Sequence, residues 1–411
     1  MSRLFSSLLV LFVCLAGLHA QTSIGLVAYY PFDGSLTDAT GTTANAGQGV
    51  GSFGYACGIE QDALIFNGVN NFVRISGPVT GEFDTEDFSL SFYMKATGLD
   101  GTQYLVSKRD SSCTNDRVFY IRYAPASRTL NVVLSENASK NVSFSLVLDE
   151  GRCWYHIALV RRGNRVRLYI DGEQEQELGT ISRIDLDNAG DLLIGNSLCR
   201  GPNETFFRGF IDDFRVYNLA LEDDEVRGLF VAPDRIQNPN SQIFLGESVD
   251  IALTPTCGTD FSWTPAGDVF GPADAEPRIT PSEAGVQVFR IDIEDGSSTC
   301  IATDTIRLTV IDPDDLDCNA LFFPTAFTPN GSGPQRNETF GISNPFAVEE
   351  LISFEIYDRW GGKVFSTRDP FERWDGTFQG EPMNTNVVVY KVEYLCEGEA
   401  QSQIGTVAII R

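Results

Sequence analysis

Cysteines are the residues of this sequence whose number and spacing point most directly to chemistry. Beyond residue 20 they fall in even groups along the chain: Cys57, Cys113, Cys153 and Cys199, then Cys257 and Cys300, then Cys318 and Cys396. A zinc site is disfavoured, because no Cys-x-x-Cys spacing occurs and His156 is the only histidine beyond residue 20. In an exported chain, even groups predict disulfides within each region, so Cys318 is expected to pair with Cys396.

Carboxylates are the next candidates, because hydrolysis of a glycosidic bond with retention needs two of them about 5–5.5 Å apart. On one strand such a pair appears as Glu-x-Asp-x-x-Glu, which the sequence does not contain. Glu150, Glu173, Glu175 and Glu177 lie beside charged neighbours without that spacing. A Ser-His-Asp site would have to use His156, and no Gly-x-Ser-x-Gly precedes a helical pattern. The sequence therefore predicts no enzyme, with carboxylates brought together only by folding as the alternative.

Strand patterns dominate the elements that must position these residues. Apolar and polar residues alternate in RVRLYI (165–170) and in TIRLTV (305–310). Turn stretches rich in Gly, Asn and Asp separate such segments: FNGVNN, RRGN, IDGE and IEDG. Only LALEDDEVRGLF (219–230) has helical spacing. The predicted fold class is all-β, built from sandwiches or barrels.

The first 20 residues have the pattern of a secretory signal. Arg3 precedes an apolar run from Leu8 to Leu18, and Ala20 marks the expected cleavage point. This run is too short to span a membrane, and no later segment approaches the required length. Cys14 offers a lipoprotein as the alternative, but the residues before it lack the small side chains of a lipid-attachment signal.

The net charge excludes one class of partner. The chain carries 56 acidic and 30 basic residues, a formal net charge of −26. Such a surface repels phosphate backbones, so we expect no nucleic-acid partner.

Two stretches of linker composition divide the chain. VAPDRIQNPNS, near residue 235, is rich in Pro and Asn, and IDPDDLD, near residue 313, is acidic and contains Pro. The sequence therefore predicts a signal peptide over residues 1–20 and three β domains over residues 21–232, 233–312 and 313–411.

The first of these domains resembles the laminin G-like, concanavalin A-like jelly rolls. The resemblance rests on LVAYYPFDGSLTDATG, ALIFNGVNNFVRI, WYHIALVRRGNRVRLYIDGE and GFIDDFRVYNLALEDDEV. It implies two packed antiparallel sheets, in agreement with the alternating strands. Trp154 and Tyr155 could stack on a sugar ring, but their position at the start of an apolar strand favours a core role.

The resemblance also implies a structural calcium ion that ties the first strand to the last. Asp213 stands at the position that supplies a carboxylate in related laminarinase-type enzymes, and Asp33 and Asp38 are the candidates near the start. Calcium takes clustered carboxylate and carbonyl oxygens as ligands. The alternative role of Asp33 and Asp38 is to cap turns.

Disulfide pairing within the first domain is open among three possibilities. Cys113 and Cys199 both lie in polar loops, which favours a Cys113–Cys199 pair. The remaining pair is then Cys57–Cys153.

The middle domain resembles the immunoglobulin-like modules of secreted bacterial surface proteins. The carriers are FLGESVDIAL, FSWTP, VQVFRIDIEDGSSTC and TIRLTV. The resemblance implies a small sandwich crossed by a Cys257–Cys300 disulfide, with Trp263 packed nearby. We expect this domain to act as a spacer.

The last domain resembles the C-terminal domains of proteins exported by the type IX secretion system, in their gliding motility-associated form. The carriers are FFPTAFTPNGSG, NETF, IYDRWGGKVF, RWDGTFQG, VVVYKVEYLC and GTVAIIR. The family usually has Gly-Asp-Gly and Asn-Asp in its first loop, where this chain has Gly331-Ser332-Gly333 and Asn337-Glu338. The resemblance implies a small β-sandwich recognised by the outer-membrane translocon. We expect Trp360 and Trp374 in its core.

The predicted function is that of an exported protein at the cell surface or outside the cell. Its jelly roll is expected to recognise a glycan or another surface ligand, while its last domain directs type IX secretion. The alternatives are a secreted carbohydrate-active enzyme with an unrecognised carboxylate pair and a structural adhesin without a small ligand.

Overall fold

The computed structural model describes residues 23–312, 316–319, 321–331 and 337–410. The predicted signal peptide lies outside the described residues, as do Ser332 and Gly333 of the first loop of the last domain. The described chain divides into two compact units. The first contains the residues up to Pro239 with Val249–Ile279 and Val288–Ile306, and the second contains Asn240–Ser248, Thr280–Gln287 and the chain from Arg307 onward.

The strands of the first 217 residues are, in chain order, β1 (Leu26–Tyr30), β2 (Gln48–Val50), β3 (Gly54–Cys57), β4 (Asp62–Asn67), β5 (Phe72–Ile75), β6 (Phe88–Ala96), β7 (Thr102–Lys108), β8 (Val118–Ala124), β9 (Thr129–Asn137), β10 (Lys140–Val147), β11 (Tyr155–Arg162), β12 (Arg165–Ile170), β13 (Glu173–Gly179), β14 (Leu192–Ile194), β15 (Glu204–Phe206) and β16 (Arg208–Tyr217). Short 3-10 helices lie at Thr43–Asn45, Pro78–Phe83 and Pro125–Ser127, and one α-helix, α1, spans Asp223–Leu229.

The remaining described strands are β17 (Ser241–Phe244), β18 (Val249–Asp250), β19 (Asp260–Thr264), β20 (Val269–Phe270), β21 (Arg278–Ile279), β22 (Gly285–Glu294), β23 (Ile301–Ile311), β24 (Ala326–Phe327), β25 (Glu350–Tyr357), β26 (Lys363–Thr367), β27 (Thr377–Phe378), β28 (Glu381–Pro382), β29 (Val387–Cys396) and β30 (Glu399–Ile409). A further 3-10 helix spans Pro345–Ala347. The all-β prediction is confirmed.

Two sheets build the first part of unit 1. Sheet A has the order β13-β12-β11-β6-β16-β4-β3, with β1 paired to β16. Sheet B has the order β10-β9-β8-β7-β14-β5-β2, with β15 parallel to β7. Alternate apolar residues of both sheets, such as Leu90 and Phe92 of β6 and Phe119 and Ile121 of β8, form one buried cluster. This is a two-sheet sandwich, as the alternating strands predict, and it agrees with the jelly roll that the resemblance implies.

The other face of sheet A is covered as well. Helix α1 begins with a capping box in which the side chains of Glu222 and Glu225 each accept a hydrogen bond from the backbone of the other. Its apolar residues Val226 and Leu229 pack on Tyr169 and on strand β11. Helix α1 therefore covers part of the outer face of sheet A, while Arg165 of β12 stays exposed there.

Trp154 and Tyr155 have the core role that their strand position favours. Both side chains are buried, and Trp154 packs beside Phe210. The hydroxyl of Tyr155 donates a hydrogen bond to the carbonyl oxygen of Asp149 at 2.5 Å.

In the middle segment, the unit 1 residues form short antiparallel pairs. Strand β19 pairs with β22, and β21 pairs with β18 and β20. Trp263 is buried, and its indole N–H donates to the carbonyl oxygen of Asp274 at 3.0 Å. The predicted boundaries at residues 232 and 312 stay predictions, because the middle segment contributes residues to both units.

The disulfides differ from the predicted pattern in one respect. The structure contains Cys113–Cys199 and Cys318–Cys396, the pairs that the sequence predicts. The predicted Cys257–Cys300 and Cys57–Cys153 pairs are wrong, because Cys57 pairs with Cys257 and Cys153 pairs with Cys300. Two crossed pairs leave an even count in each region, so counting could not reveal that these bonds join the jelly roll to the middle segment.

Other contacts of unit 1 support the same junction. The side chain of Lys95, only 1 % exposed, forms an ion pair with Asp295 and donates to the hydroxyl of Ser297 at 3.1 Å. Its ammonium group also lies 5.0 Å from the ring centre of Phe210. Because a buried ammonium group needs such partners, this ion pair ties β6 to the turn after β22.

Unit 2 contains a five-stranded sheet of order β24-β30-β29-β25-β26. One face packs on a cluster that includes Phe340, Phe354, Trp374 and Tyr390. Trp374 is 2 % exposed, as expected, but the core prediction for Trp360 is wrong, since its side chain is 83 % exposed. Trp360 lies in the turn after β25, where the Asp358 side chain accepts hydrogen bonds from the N–H groups of Trp360 and Gly362 at 2.8 Å.

Among the described residues, no helix is both long enough and apolar enough to cross a membrane.

Candidate functional site

The outer face of sheet B presents neutral hydrogen-bonding groups around one aromatic ring. Phe119 and Ile121 of β8 lie in the core, so Tyr120 and Arg122 lie on the opposite face. In the strand register, Tyr120 lies beside Val133 of β9 and then Ser143 of β10, and Arg122 lies beside Asn131 and then Ser145. We call this surface the β8–β10 face, and it comprises Tyr120, Arg122, Asn131, Val133, Ser143 and Ser145.

Arg122 is held in place by its neighbours on sheet B. Its guanidinium carbon lies 4.7 Å from the ring centre of Tyr120 and 5.8 Å from that of Tyr104. The same group forms an ion pair with Glu204 of β15. Glu204 also accepts hydrogen bonds from the hydroxyl of Tyr104 at 3.0 Å and from the N–H of Gly201 at 2.7 Å.

This network keeps its charges over the physiological pH range. Burial disfavours the ionised Glu204, but the Gly201 N–H, the Tyr104 hydroxyl and the Arg122 guanidinium outweigh burial and lower the pKa of Glu204. Burial and the neighbouring Glu204 raise the pKa of Tyr104 to about 12. Glu204 is therefore a fixed ion-pair partner and not a proton donor.

The chemistry of the β8–β10 face suits a neutral, hydroxylated ligand. The half-buried ring of Tyr120 offers an apolar surface and a polar hydroxyl, and such amphipathic rings are common at binding surfaces. Asn131, Ser143 and Ser145 supply amide and hydroxyl groups that can donate and accept hydrogen bonds. Sequence reasoning missed this face. Alternation shows which residues of a strand point outward, but it does not show which strands are neighbours in the sheet.

A separate feature of unit 1 is a cavity of about 320 Å³ between the β10–β11 loop and the segment after α1. Its wall is mostly apolar and includes Trp154, Tyr155 and Phe230. Several charged groups in the wall have partners: Arg152 forms an ion pair with Asp171, and Asp234 accepts a hydrogen bond from Thr256 at 2.6 Å. The cavity adjoins Cys153, so the Cys153–Cys300 bond helps to close it.

His156 lies in the core and cannot contact a substrate. Its ring is packed between Tyr93 and Phe230, with ring centres 4.8 Å and 6.0 Å away. Burial, with a smaller contribution from the charge of Arg215, lowers the pKa of His156 to about 3. The described residues therefore offer no histidine for a Ser-His-Asp site.

The three predicted calcium ligands each have other partners. Asp38 accepts hydrogen bonds from the N–H of Tyr29 at 3.0 Å and from the side chain of Asn45 at 3.2 Å. Asp213 accepts from the hydroxyl of Tyr29 at 2.6 Å and pairs with Arg215 at 3.2 Å.

Asp33 accepts hydrogen bonds from the N–H of Asp62 at 3.0 Å and from the side chain of Gln61 at 3.1 Å. Within the described residues, no group of three or more His, Cys, Asp or Glu side chains could hold a metal ion. Asp38 also accepts the N–H of Thr40 at 2.9 Å, which is the turn-capping contact of the alternative interpretation, whereas both partners of Asp33 lie 28 and 29 residues further along the chain. The calcium site stays a prediction.

Asp212 is a buried carboxylate that the sequence did not single out. It accepts hydrogen bonds from the N–H groups of Ile59 at 2.7 Å and Asp213 at 2.8 Å. Burial and the adjacent Asp213 raise its pKa to about 8. Gly58 permits this approach, because a Cβ atom there would lie 2.4 Å from the Asp212 carboxylate. Asp212 thus ties β16 to the loop after β3.

Comparisons with known proteins match two parts of the chain. Residues 67–227 match the Laminin_G_3 family, described as the concanavalin A-like lectin/glucanases superfamily. Residues 321–409 match the CHU_C type IX secretion signal domain. No curated protein matches the chain.

Several solved structures are similar at low identity. Domain 4 of the arabinanase AbnA from Geobacillus stearothermophilus, in complex with arabinotriose, is 21 % identical over 50 % of this chain and 98 % of its own, with a TM-score of 0.40. The CBM40 of the IT-sialidase from Ruminococcus gnavus is 18 % identical over 41 % and 96 %, with a TM-score of 0.36. The binding domain of botulinum neurotoxin serotype C1 is 11 % identical over 94 % of each chain, with a TM-score of 0.42.

The family matches agree with the two-sheet sandwich of unit 1 and the strand-rich unit 2. Residues 67–227 therefore belong to the concanavalin A-like lectin/glucanase superfamily, and residues 321–409 form a type IX secretion signal domain that directs the chain to the cell surface or the exterior.

Proposed function

We propose that this chain is a non-catalytic binding protein that holds a neutral glycan on the β8–β10 face. The observation that carries the proposal is the half-buried Tyr120 ring, which Arg122 orients beside the amide and hydroxyl groups of β9 and β10. The apolar side of a sugar ring fits the aromatic face, while its hydroxyl groups fit the neutral polar side chains. Glu204 is ion-paired and His156 is buried, so neither supports catalysis at this face.

A glycan array with the oxidised full-length chain tests the proposal. The full chain is needed because a fragment of residues 21–232 would leave Cys57 and Cys153 without their partners. We expect binding to one or more neutral glycans, and Tyr120→Ala should weaken the affinity by about tenfold or more. The control Phe270→Ala removes an exposed ring from strand β20, which belongs to neither sheet of the jelly roll, and should leave binding unchanged.

The alternatives give different outcomes in the same experiment. Release of reducing sugar would indicate a carbohydrate-active enzyme. Absence of any glycan binding, together with loss of cell attachment when the gene is deleted, would favour a structural adhesin.

The translocon of the type IX system is the proposed partner of unit 2. A chain that lacks residues 318–411 should stay in the periplasm of an exporting host, while the full chain appears outside. Export of the truncated chain would refute this role.

A further inference from the structure

An open sheet edge runs along β30. This strand pairs with β29 over ten consecutive residue pairs without a bulge, from Cys396–Glu399 to Val387–Ala408. On its other side, β24 pairs only with Ala408 and Ile409. Among the residues that the structure describes, Ala400–Thr406 have no strand on that side. We call this stretch the β30 edge.

The β30 edge lacks the features that usually protect an edge strand from pairing. Natural edges carry charges, prolines or bulges, or are very short. The chain from Ala400 to Ile410 contains no charged residue and no proline. By contrast, the edge strand β13 of sheet A carries three glutamates, and the edge strand β26 of unit 2 is five residues long and begins with Lys363.

The side chains of the β30 edge leave its backbone accessible. Ser402, Ile404 and Thr406 lie on the solvent face, and Ile404 is 67 % exposed. On the core face, Gly405 lies under Tyr390, and a Cβ atom at Gly405 would lie 2.4 Å from the Tyr390 hydroxyl oxygen and 2.5 Å from the nearest ring carbon. Tyr390 in turn stacks on Phe323 at 4.4 Å between ring centres. The strand is thus held from its inner face and along β29, while its outer edge stays open.

We infer that the β30 edge accepts an extended segment of the export machinery as an additional strand. This inference rests on the proposed role of unit 2 as the export signal. Strand addition uses main-chain hydrogen bonds for affinity and alternate side chains for specificity. An uncharged edge places no charge requirement on the incoming strand, and Ile404 offers an apolar neighbour to one of its outward side chains.

Lysine substitutions on the solvent face test the inference. Ser402→Lys with Ile404→Lys places two charges on the open edge without altering the core, since both side chains are exposed. The matched control is Val387→Lys with Val389→Lys, which places the same charges on the same face of the central strand β29. The full-length chains are compared for exported fraction in the native host and for melting temperature after purification.

The edge variant should melt within a few degrees of the unmodified chain and its exported fraction should fall by about tenfold or more, while the control is exported normally. Normal export of the folded edge variant would overturn the inference, as would an equal loss in the control. If the edge variant melts much lower, the single variant Ser402→Lys replaces it, with the same expected loss. Truncation before residue 318 separates the two proposals: if truncation blocks export and the edge variant does not, only the strand-addition inference fails.

Light scattering tests whether a second copy of this chain occupies the β30 edge. We expect the full chain to be monomeric at micromolar concentration. A dimer that the two edge lysines dissociate would mean that a second copy occupies the edge, and that result would overturn the assignment to the export machinery.

Discussion

At the scale of single residues, buried polar groups set how this protein responds to pH. His156 is fully buried and its ring nitrogens have no hydrogen-bond partner among the described residues. Around it lie the rings of Tyr93 and Phe230, the charge of Arg215, and Asp171, whose carboxylate accepts the backbone N–H of His156 at 2.8 Å. The neutral imidazole is therefore the form that the fold accommodates.

This burial predicts a loss of stability in mild acid. The pKa of His156 falls from 6.5 in the unfolded chain to about 3 in the folded one. As pH falls below 6.5, the unfolded chain binds a proton that the folded chain does not, so the free energy of unfolding decreases down to about pH 3. At pH 5 the loss from this residue is about 2 kcal/mol relative to pH above 6.5.

Urea unfolding of the unmodified chain and of His156→Phe at several pH values between 7 and 5 measures this effect. Phenylalanine keeps an aromatic ring between Tyr93 and Phe230 and cannot be protonated. The stability difference between the two chains should therefore change with pH by the amount stated above. A difference that stays constant with pH would contradict the burial of a neutral histidine.

The two tryptophans of unit 2 give a second prediction at this scale. Trp374 lies in the core and its indole N–H donates to the carbonyl oxygen of Thr377 at 2.8 Å, so Trp374→Ala should cost about 3–5 kcal/mol. Trp360→Ala removes an exposed ring and should change stability by less than about 1 kcal/mol. Chemical denaturation measures both, and equal costs would contradict the placement of Trp360 outside the core.

At the scale of elements, the β29–β30 hairpin depends on one close contact. Gly405 faces Tyr390 across the register, and the ring occupies the space that a side chain would need. Gly405→Ala should therefore cost about 1–3 kcal/mol through overpacking. Ser402→Ala, on the exposed face of the same strand, should change stability by about 0.5 kcal/mol or less. Thermal unfolding compares the two variants. If Gly405→Ala costs no stability, the Tyr390 ring does not occupy the space beside Gly405.

Some elements could be predicted from sequence because their signal is local. Alternation along residues 165–170 fixes a strand and its buried face, and the acidic residues before Val226 indicate where α1 begins. The exposed Trp360 could not be predicted, since a turn residue belongs to neither face of a strand. The β8–β10 face could not be predicted either, because the sequence does not show that Asn131 pairs with Arg122 across the two strands.

At the scale of the whole molecule, the covalent links determine which parts of the chain stay together. The chain before Pro239 carries Cys57 and Cys153, and their partners Cys257 and Cys300 come after it. The sequence predicted disulfides within each region, which is right for Cys113–Cys199 and Cys318–Cys396 and wrong for the other two bonds. Even counts could not reveal this, because bonds within regions and bonds between regions satisfy the same count. These links also enclose long stretches of chain, with sequence separations of 200 and 147 residues.

The crossed pairing predicts that a cut between the two regions will not separate them. A protease site inserted between Pro239 and Asn240, at an exposed position, leaves four disulfide-bonded cysteines on each side of the cut. On a denaturing gel without reductant, the cut chain should run as one species, and reductant should release two fragments. The double variant Cys57→Ser with Cys153→Ser is the control, and its fragments should separate without reductant. Separation of the unmodified cut chain under non-reducing conditions would restore the pairing within regions, because Cys57–Cys153 and Cys257–Cys300 leave no covalent link across the cut.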